Sequence, residues 1–288
     1  MTKTFFLTGS ARGLGRGMAE AILAAGHRLI ATARRPERLQ ALVQRYGDRI
    51  LPLQLDVGVA DQVGAAVERG VRTFGAIDVL INNAGRASAG AVEDMPMEAI
   101  AAQFDTNVMG SIRVIKAVLP HMRRQGAGRI LQMACFSDRI AHAGVAAYCA
   151  SQSALAGFLD ALAQEVGPLG IKVTVLESDA TRAGQARLAM LPAQAADDAG
   201  VGPALKTIGA PELTASLGDS ARIAEAVLKV ALLPEPPLRL LLGGAMYAMG
   251  TQADRARAAT DAQWKWLSCS VDACAHGWQT TTANSRPH

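Results

Sequence analysis

Short runs of apolar and β-branched residues alternate along the chain with longer segments whose apolar positions recur every three to four residues. TFFL (4–7), RLIATA (28–33), ILPLQL (50–55), VLI (79–81), RILQM (129–133) and KVTVL (172–176) predict buried strands. Amphipathic segments near 14–25, 37–46, 60–74, 97–124 and 147–166 predict the helices between them. Alternation of this kind implies βαβ units. The expected fold is α/β, a single-domain doubly wound (Rossmann-type) parallel sheet with helices on both faces. Right-handed crossovers then collect the loops after the strands along one edge, where such sheets bind ligands.

The rhythm breaks after residue 180. The stretch from about 181 to 217 is rich in Ala, Gly, Pro, Leu and Met without a clean period, and is expected to form either a lid over the substrate or a mobile insertion. A helix over about 220–232, a PEPP turn and a last strand, LRLLL, close a domain spanning residues 1–245. Residues 246–267 read as a further helix, and the polar end, HGWQTTTANSRPH, as a frayed tail, so 246–288 forms a C-terminal appendage. No internal repeat of fixed period is present.

Composition narrows the function. Half of the residues are hydrophobic, enough for a large core, and no N-terminal run is long enough for a signal segment or a membrane span. A cytoplasmic protein without membrane partners is expected. The four cysteines, Cys135, Cys149, Cys269 and Cys274, lack CxxC spacing and nearby paired histidines, so neither a metal site nor a disulfide framework is expected. The net charge of +4 is spread among acids, and aromatics make up only 4%, which argues against nucleic-acid binding. A basic balance suits an anionic cofactor.

Candidate chemistry begins at TGSARGLGRGMAEAIL (8–23), between the first strand and the first helix. Glycines 9, 13 and 15 permit a tight turn and a close approach of backbone amides to a pyrophosphate at the helix N-terminus. The segment resembles the TGxxxGxG cofactor motif of the short-chain dehydrogenase/reductase family. That resemblance continues in order over roughly residues 3–245, through LDV (55–57), NNAG (82–85), DTNVMG around residue 107, GRILQMACFS, YCASQ (148–152) and VTVLESDATR.

The resemblance implies a nicotinamide dinucleotide site. It would comprise Gly9, Ser10, Arg12, Gly13, Leu14 and Gly15 in the turn, Asp56 and Val57 at the adenine, Asn83, Ala84 and Gly85 beside the cofactor, and Thr181 after the sixth strand. Charge chooses between dinucleotides. The second strand leads into ATARRPERL, with Arg34 and Arg35 and no carboxylate before Glu37, and Arg12 is near the same place. Arginines accommodate a 2′-phosphate where an acid would bind a free ribose diol, so NADP(H) is the expected cofactor. The competing reading leaves these arginines as solvated residues at helix starts.

The family implies a catalytic set of asparagine, serine, tyrosine and lysine. Here Asn107 and Tyr148 fall on the pattern. Cys135 stands where the usual offset from the tyrosine places serine, and Gln152 stands where lysine belongs. Ser178-Asp179 replaces a Pro-Gly turn. Ser137, Asp138, Arg139 and His142 add polar or titratable groups, with His142 a candidate acid/base. A lysine four residues after a tyrosine shares its helical face and favours phenolate, whereas glutamine carries no charge. Tyr148 is therefore expected to serve as a proton donor rather than a base. Cys135 would act as a nucleophile only with a depressed pKa, for example from Arg139 or His142, and the plainer reading is a small thiol at a strand end.

The function expected from these residues is NADPH-dependent reduction of a carbonyl or enone in a lipophilic small molecule. A non-redox enzyme on the same scaffold (isomerase, cyclase, dehydratase or lyase), holding NADP structurally with Tyr148 as acid, is the alternative. An NADP-binding pseudoenzyme is the second. The resemblance further implies a homodimer or homotetramer through the helices at 97–124 and 147–166. Separately, the appendage with Trp264 and Trp266 is expected either to modify that assembly or to close the pocket.

Overall fold

The computed structural model describes residues 1–135, 139–178, 189–190, 201–203 and 219–272. Seven parallel strands form one sheet: β1 (Thr4–Leu7), β2 (Arg28–Ala33), β3 (Ile50–Gln54), β4 (Val79–Asn82), β6 (Gly128–Cys135), β7 (Ile171–Ser178) and β9 (Arg239–Leu242). Their order is β3-β2-β1-β4-β6-β7-β9. The winding reverses between β1 and β4, and the crevice beyond their C-terminal ends is the topological switch point where doubly wound sheets bind ligands. A separate two-stranded ladder joins β5 (Ser88–Ala89) to β8 (Ala189–Met190).

Alternating side chains divide the core in two. Phe5, Leu7, Leu29, Ala31, Val79 and Ile81 pack on one face against α1 (Gly13–Ala24) and α7 (Ser220–Leu232). Phe6, Ile30, Leu80, Ile130 and Val173 pack on the other, against α3 (Ala60–Phe74), α5 (Gly110–Gln125) and α6 (Ala146–Val166). Burial on both sides explains why β1, TFFL, is apolar without interruption. The short helix α2 (Gln40–Tyr46) follows a 3-10 turn over Pro36–Leu39, in the segment expected to be one helix.

The segment expected as one helix over 97–124 is divided. Helix α4 (Met97–Phe104) and α5 are joined by a π turn at Asp105–Met109. The wider turn rotates its residues relative to a regular α-helix, and such insertions recur at functional sites. It carries Asn107. At the far end, α8 (Gly244–Ser268) begins against β9, and a 3-10 turn (Cys269–Val271) ends it. Among the described residues no helix is long and apolar enough to cross a membrane, and no cluster of His, Cys, Asp and Glu could hold a metal ion. Most of the expected lid, with Ser137, Asp138, Asp179, Thr181, Cys274 and the polar tail, lies outside the described residues.

Candidate active site

The crevice is floored by the turn after β1. Gly9 and Gly13 have φ of +69° and +53°, in the left-handed region that disfavours residues with a Cβ. Gly15 is demanded by space instead: an added Cβ would stand 2.2 Å from the Gly9 carbonyl oxygen and 2.6 Å from Asn83 Nδ2. The opposite wall, after β4, is fastened to this turn through Thr8. Its Oγ1 accepts from the N–H groups of Asn83 (2.9 Å) and Ala84 (3.0 Å), and Asn83 Nδ2 donates to the carbonyls of Thr8 and Gly9. The Ser10 hydroxyl is fully buried and donates to the Thr32 carbonyl, so it braces β2 rather than facing the crevice.

The N-terminus of α1 suits an anionic ligand. Arg12 occupies its cap position with no side-chain cap bond, and no acid stands in the first turn, so the leading N–H groups keep their donor capacity and positive dipole end. Arg12, Arg34 and Arg35 are exposed, and among the described residues none of the three enters an ion pair. These features fit a dinucleotide pyrophosphate. Asp56, after β3, turns one carboxylate oxygen back onto the Gly58 N–H (3.0 Å), while its own N–H is held by Gln62. Val57 is buried and meets Gly110 at the start of α5.

Asn107 is almost fully buried, with every polar atom engaged. Its Oδ1 accepts from the Arg86 N–H (2.8 Å), and its Nδ2 donates to the Arg86 carbonyl (2.9 Å) and to Ser151 Oγ (3.1 Å). Ser151 in turn donates to the Tyr148 carbonyl at 2.8 Å. The π turn thus ties the loop after β4 to the first turns of α6. A Cβ at Gly85 would lie 3.4 Å from Asn107 Oδ1, an ordinary contact, so this closeness does not depend on the glycine.

Strand β6 delivers Cys135 to the mouth of α6. The Cys135 thiol and the Tyr148 hydroxyl share a hydrogen bond. Tyr148 keeps some surface as a residue, but its hydroxyl end sits within the protein. Burial raises that phenol well above its usual value, and Cys135 and Cys149 raise it further; no cation is among the causes. Gln152 is buried, and its Oε1 accepts from the Cys135 backbone N–H at 3.1 Å. Ala89, Val145 and Cys149 form a small apolar cluster here, with Tyr148 and Val201 packed against it.

His142 is exposed on the loop before α6 and is not among the groups that perturb Tyr148. Arg139 has a different occupation from the one considered for it beside Cys135. It pairs with Glu177 (Nε–Oε2 2.6 Å) and with Asp254 of α8. Glu177 is completely buried on β7 and also faces Arg239 at 3.5 Å, while Arg239 holds Asp160 at 2.8 Å. A cavity of about 390 Å³ opens along this ion network on the flank of the sheet, apart from the tyrosine hydroxyl.

Sequence reasoning missed Thr8, Ser151 and Glu177. Thr8 and Ser151 sit inside motifs that were read for their neighbours. Glu177 had a legible signal, a carboxylate directly after the run Val173–Leu176 near the end of a strand, which burial permits only with paired cations.

Comparison with known proteins agrees with this geometry. A family model described as short chain dehydrogenase matches residues 3–187. Oxidoreductase BOA17 of Botryotinia fuckeliana is 43% identical over 275 residues, covering 93% of this chain and 98% of that protein. The NADP-dependent 3-hydroxy acid dehydrogenase of Schizosaccharomyces pombe is 34% identical over 62% of this chain and 70% of its own length. The crystal structure of a short-chain dehydrogenase from Streptomyces avermitilis superposes with a TM-score of 0.87 at 34% identity, covering 94% of this chain and 99% of that one. Matched in family pattern, fold and near-complete length, the chain belongs to the short-chain dehydrogenase family of oxidoreductases.

Proposed function

We propose that the protein is an NADPH-dependent reductase of a carbonyl or enone in a lipophilic small molecule, working with a modified catalytic set in which Cys135 and Gln152 replace serine and lysine. The observation that carries this reading is the setting of Tyr148, whose hydroxyl end is enclosed beside Cys135 and Cys149 with no cation acting on it, which favours the protonated phenol. A protonated phenol can donate to an oxygen or carbon that gains negative charge, whereas oxidation of an alcohol needs a base. The preferred direction is therefore reduction.

The dinucleotide, when bound, supplies the two reducing electrons. The protein's residues do the rest. The amides at the start of α1 hold the pyrophosphate, and Arg12, Arg34 and Arg35 offer guanidinium groups for a 2′-phosphate. Asp56 and Val57 border the adenine. Tyr148 donates its proton to the substrate oxygen, with Cys135 as a weaker hydrogen-bonding companion than serine. Asn107 and Ser151 hold the tyrosine's helix against the loop after β4. Ala89, Val145, Cys149 and Val201 give the tyrosine apolar surroundings, which support a lipophilic substrate.

An acid-only tyrosine is also what a dehydratase or isomerase would use, so the non-redox reading stays attached to the same observation. One experiment separates the two. The protein is incubated with NADPH deuterated at the transferring position and a panel of lipophilic ketones and enones, and products are read by mass spectrometry. One deuterium per product molecule supports reduction. Conversion that proceeds equally with NADP⁺ and incorporates no deuterium replaces it with the non-redox reading.

A further inference from the structure

Helix α8 leaves the body of the protein. Its first turns pack: Met246 and Gly250 are buried, and a Cβ at Gly250 would lie 2.9 Å from Leu241 of β9. From Asp254 to Ser268, however, every residue is exposed, whichever way it faces. At 1.5 Å per residue this is an arm of about 22 Å. A helix of that length with no buried face is marginal in water, because most helical stability in proteins comes from packing. Trp264 is 48% exposed and Leu267 48% exposed, and the Trp266 ring lies beside that of Trp264 with centroids 6.3 Å apart. Surface aromatics gathered in this way mark a site of association.

The arm's pattern indicates what covers it. Met246, Gly250 and Ala253 define the face that meets the body, and Ala256, Thr260, Trp264 and Leu267 continue the same face outward. At 3.6 residues per turn the seven positions fall within an arc of about 120°, which also contains Arg257. Apart from Arg257, which is held by the Arg139 carbonyl, the first half of the exposed stripe is small (Ala256, Thr260), and the second half is large (Trp264, Leu267, with Val271 in the following turn). Such a stripe complements itself when two copies run antiparallel. Trp264 then lies over the partner's Thr260, and Leu267 over the partner's Ala256. Charge agrees with this register: Asp261 and Lys265 are exposed along one edge of the stripe, and the antiparallel arrangement brings each Asp261 beside the partner's Lys265.

We propose that residues 253–271 form a self-association arm, docking by a two-fold antiparallel contact on the same arm of a second copy of this chain. Its apolar centre is Trp264 and Leu267, and its register is fixed by reciprocal Asp261–Lys265 pairs. A two-fold contact of one surface with itself is the usual way in which closed dimers form. The arm is anchored at its base, where Asp254 pairs with Arg139 and Arg257 donates to the Arg139 carbonyl at 2.6 Å.

The test is sedimentation equilibrium of the full chain at micromolar concentration. The expected result is that the combined change Trp264→Ala and Leu267→Asp halves the assembled mass. Both side chains are exposed in the monomer, so its far-UV spectrum and dinucleotide binding should be retained. Asp261→Lys alone should weaken self-association by about tenfold or more through like-charge contact, and adding Lys265→Asp should restore it. The proposal is overturned if the wild-type chain is monomeric, or if the Trp264/Leu267 variant keeps the wild-type mass. Failure of the second charge change to restore association rules out the antiparallel register. Sedimentation of the wild-type protein with phosphatidylglycerol vesicles, with no self-association in their absence, would assign the arm to a membrane surface instead.

Discussion

The backbone N–H of Cys135 donates to the side-chain carbonyl of Gln152, joining the end of β6 to the second turn of α6. Gln152 occupies the helical position from which a cation would act on Tyr148, yet its oxygen is spent on the neighbouring strand. The same residue therefore accounts for two features of the site: the fixed separation of strand end and helix, and the absence of any cation among the groups acting on the tyrosine hydroxyl.

Gln152→Met keeps the volume and removes the acceptor. A part-buried N–H that loses its partner costs up to about 1–3 kcal/mol. The variant's unfolding free energy should fall by up to that amount, read as a lower urea midpoint. Gln152→Lys should lose stability too, because an ammonium cannot accept a hydrogen bond. Equal stability of all three proteins would show that the Cys135–Gln152 bond contributes nothing.

Tyr148→Phe should lower the reductase rate by about 10²–10⁴, the range for a positioned proton donor. The pH dependence follows from the direction of the shift. The folded-state pKa lies well above 10, so Tyr148 remains protonated through the neutral and mildly alkaline range, and its contribution to the rate should be flat up to about pH 10. The same sign governs stability. Because the folded chain holds this proton more tightly than the unfolded chain, the associated stability is intact below about pH 10 and declines as pH climbs towards the folded-state pKa. A rate that instead fell away from an inflection near neutrality would mean that another group is the acid.

Much of the fold could be read before any coordinates, and the reason is physical. β1, β2 and α3 coincide with their predicted spans, because a strand buried on both faces or a helix with a single apolar stripe has a pattern that nothing else produces. The π turn at Asp105–Met109 was not legible, since a single inserted residue has no side-chain signature of its own and the segment reads as one amphipathic stretch. Nor was the two-residue strand β5, whose pairing with β8 depends on a segment about a hundred residues away. At the candidate site, the positions of Tyr148, Asn107, Cys135 and Gln152 could be found from spacing, but their hydrogen bonds could not. Spacing places Gln152 on the tyrosine's face of the helix; only the folded chain shows its oxygen directed to Cys135.

The glycine turn offers a sharp test of the dinucleotide site. Gly15→Ala would put a methyl group 2.2 Å from the Gly9 oxygen, a backbone atom that cannot swing aside. The turn must open, and calorimetric titration with NADPH should show at least a tenfold loss of affinity. Arg34→Ala with Arg35→Ala leaves the turn intact and removes two phosphate partners. It should weaken NADPH while sparing NADH, narrowing the preference between the two. Unchanged preference would assign these arginines to solvent alone.

The buried carboxylate of Glu177 supplies the last prediction, and its two neighbours make the outcome asymmetric. Arg139 and Arg239 each hold a second acid, Asp254 and Asp160, whereas Glu177 depends on those two guanidinium groups. Removing one partner of a buried pair typically costs about 3–5 kcal/mol, since the other charge is stranded away from water. Arg139→Met should reach that range, because it leaves Glu177 with only the longer contact to Arg239. Glu177→Gln should cost less, as both arginines retain an acid that is partly exposed. The difference bears on catalysis through register: Ala134 lies beside Glu177, and Cys135 beside Ser178, on adjacent strands. Loosening Arg139 should therefore lower the reductase rate as well as the melting temperature, and Arg139→Lys should recover part of the stability while losing the two-pronged contact. If Arg139→Met melted no earlier than Glu177→Gln, the charge on Glu177 would have found another partner, and the ion network would not be what holds the end of β6 in place.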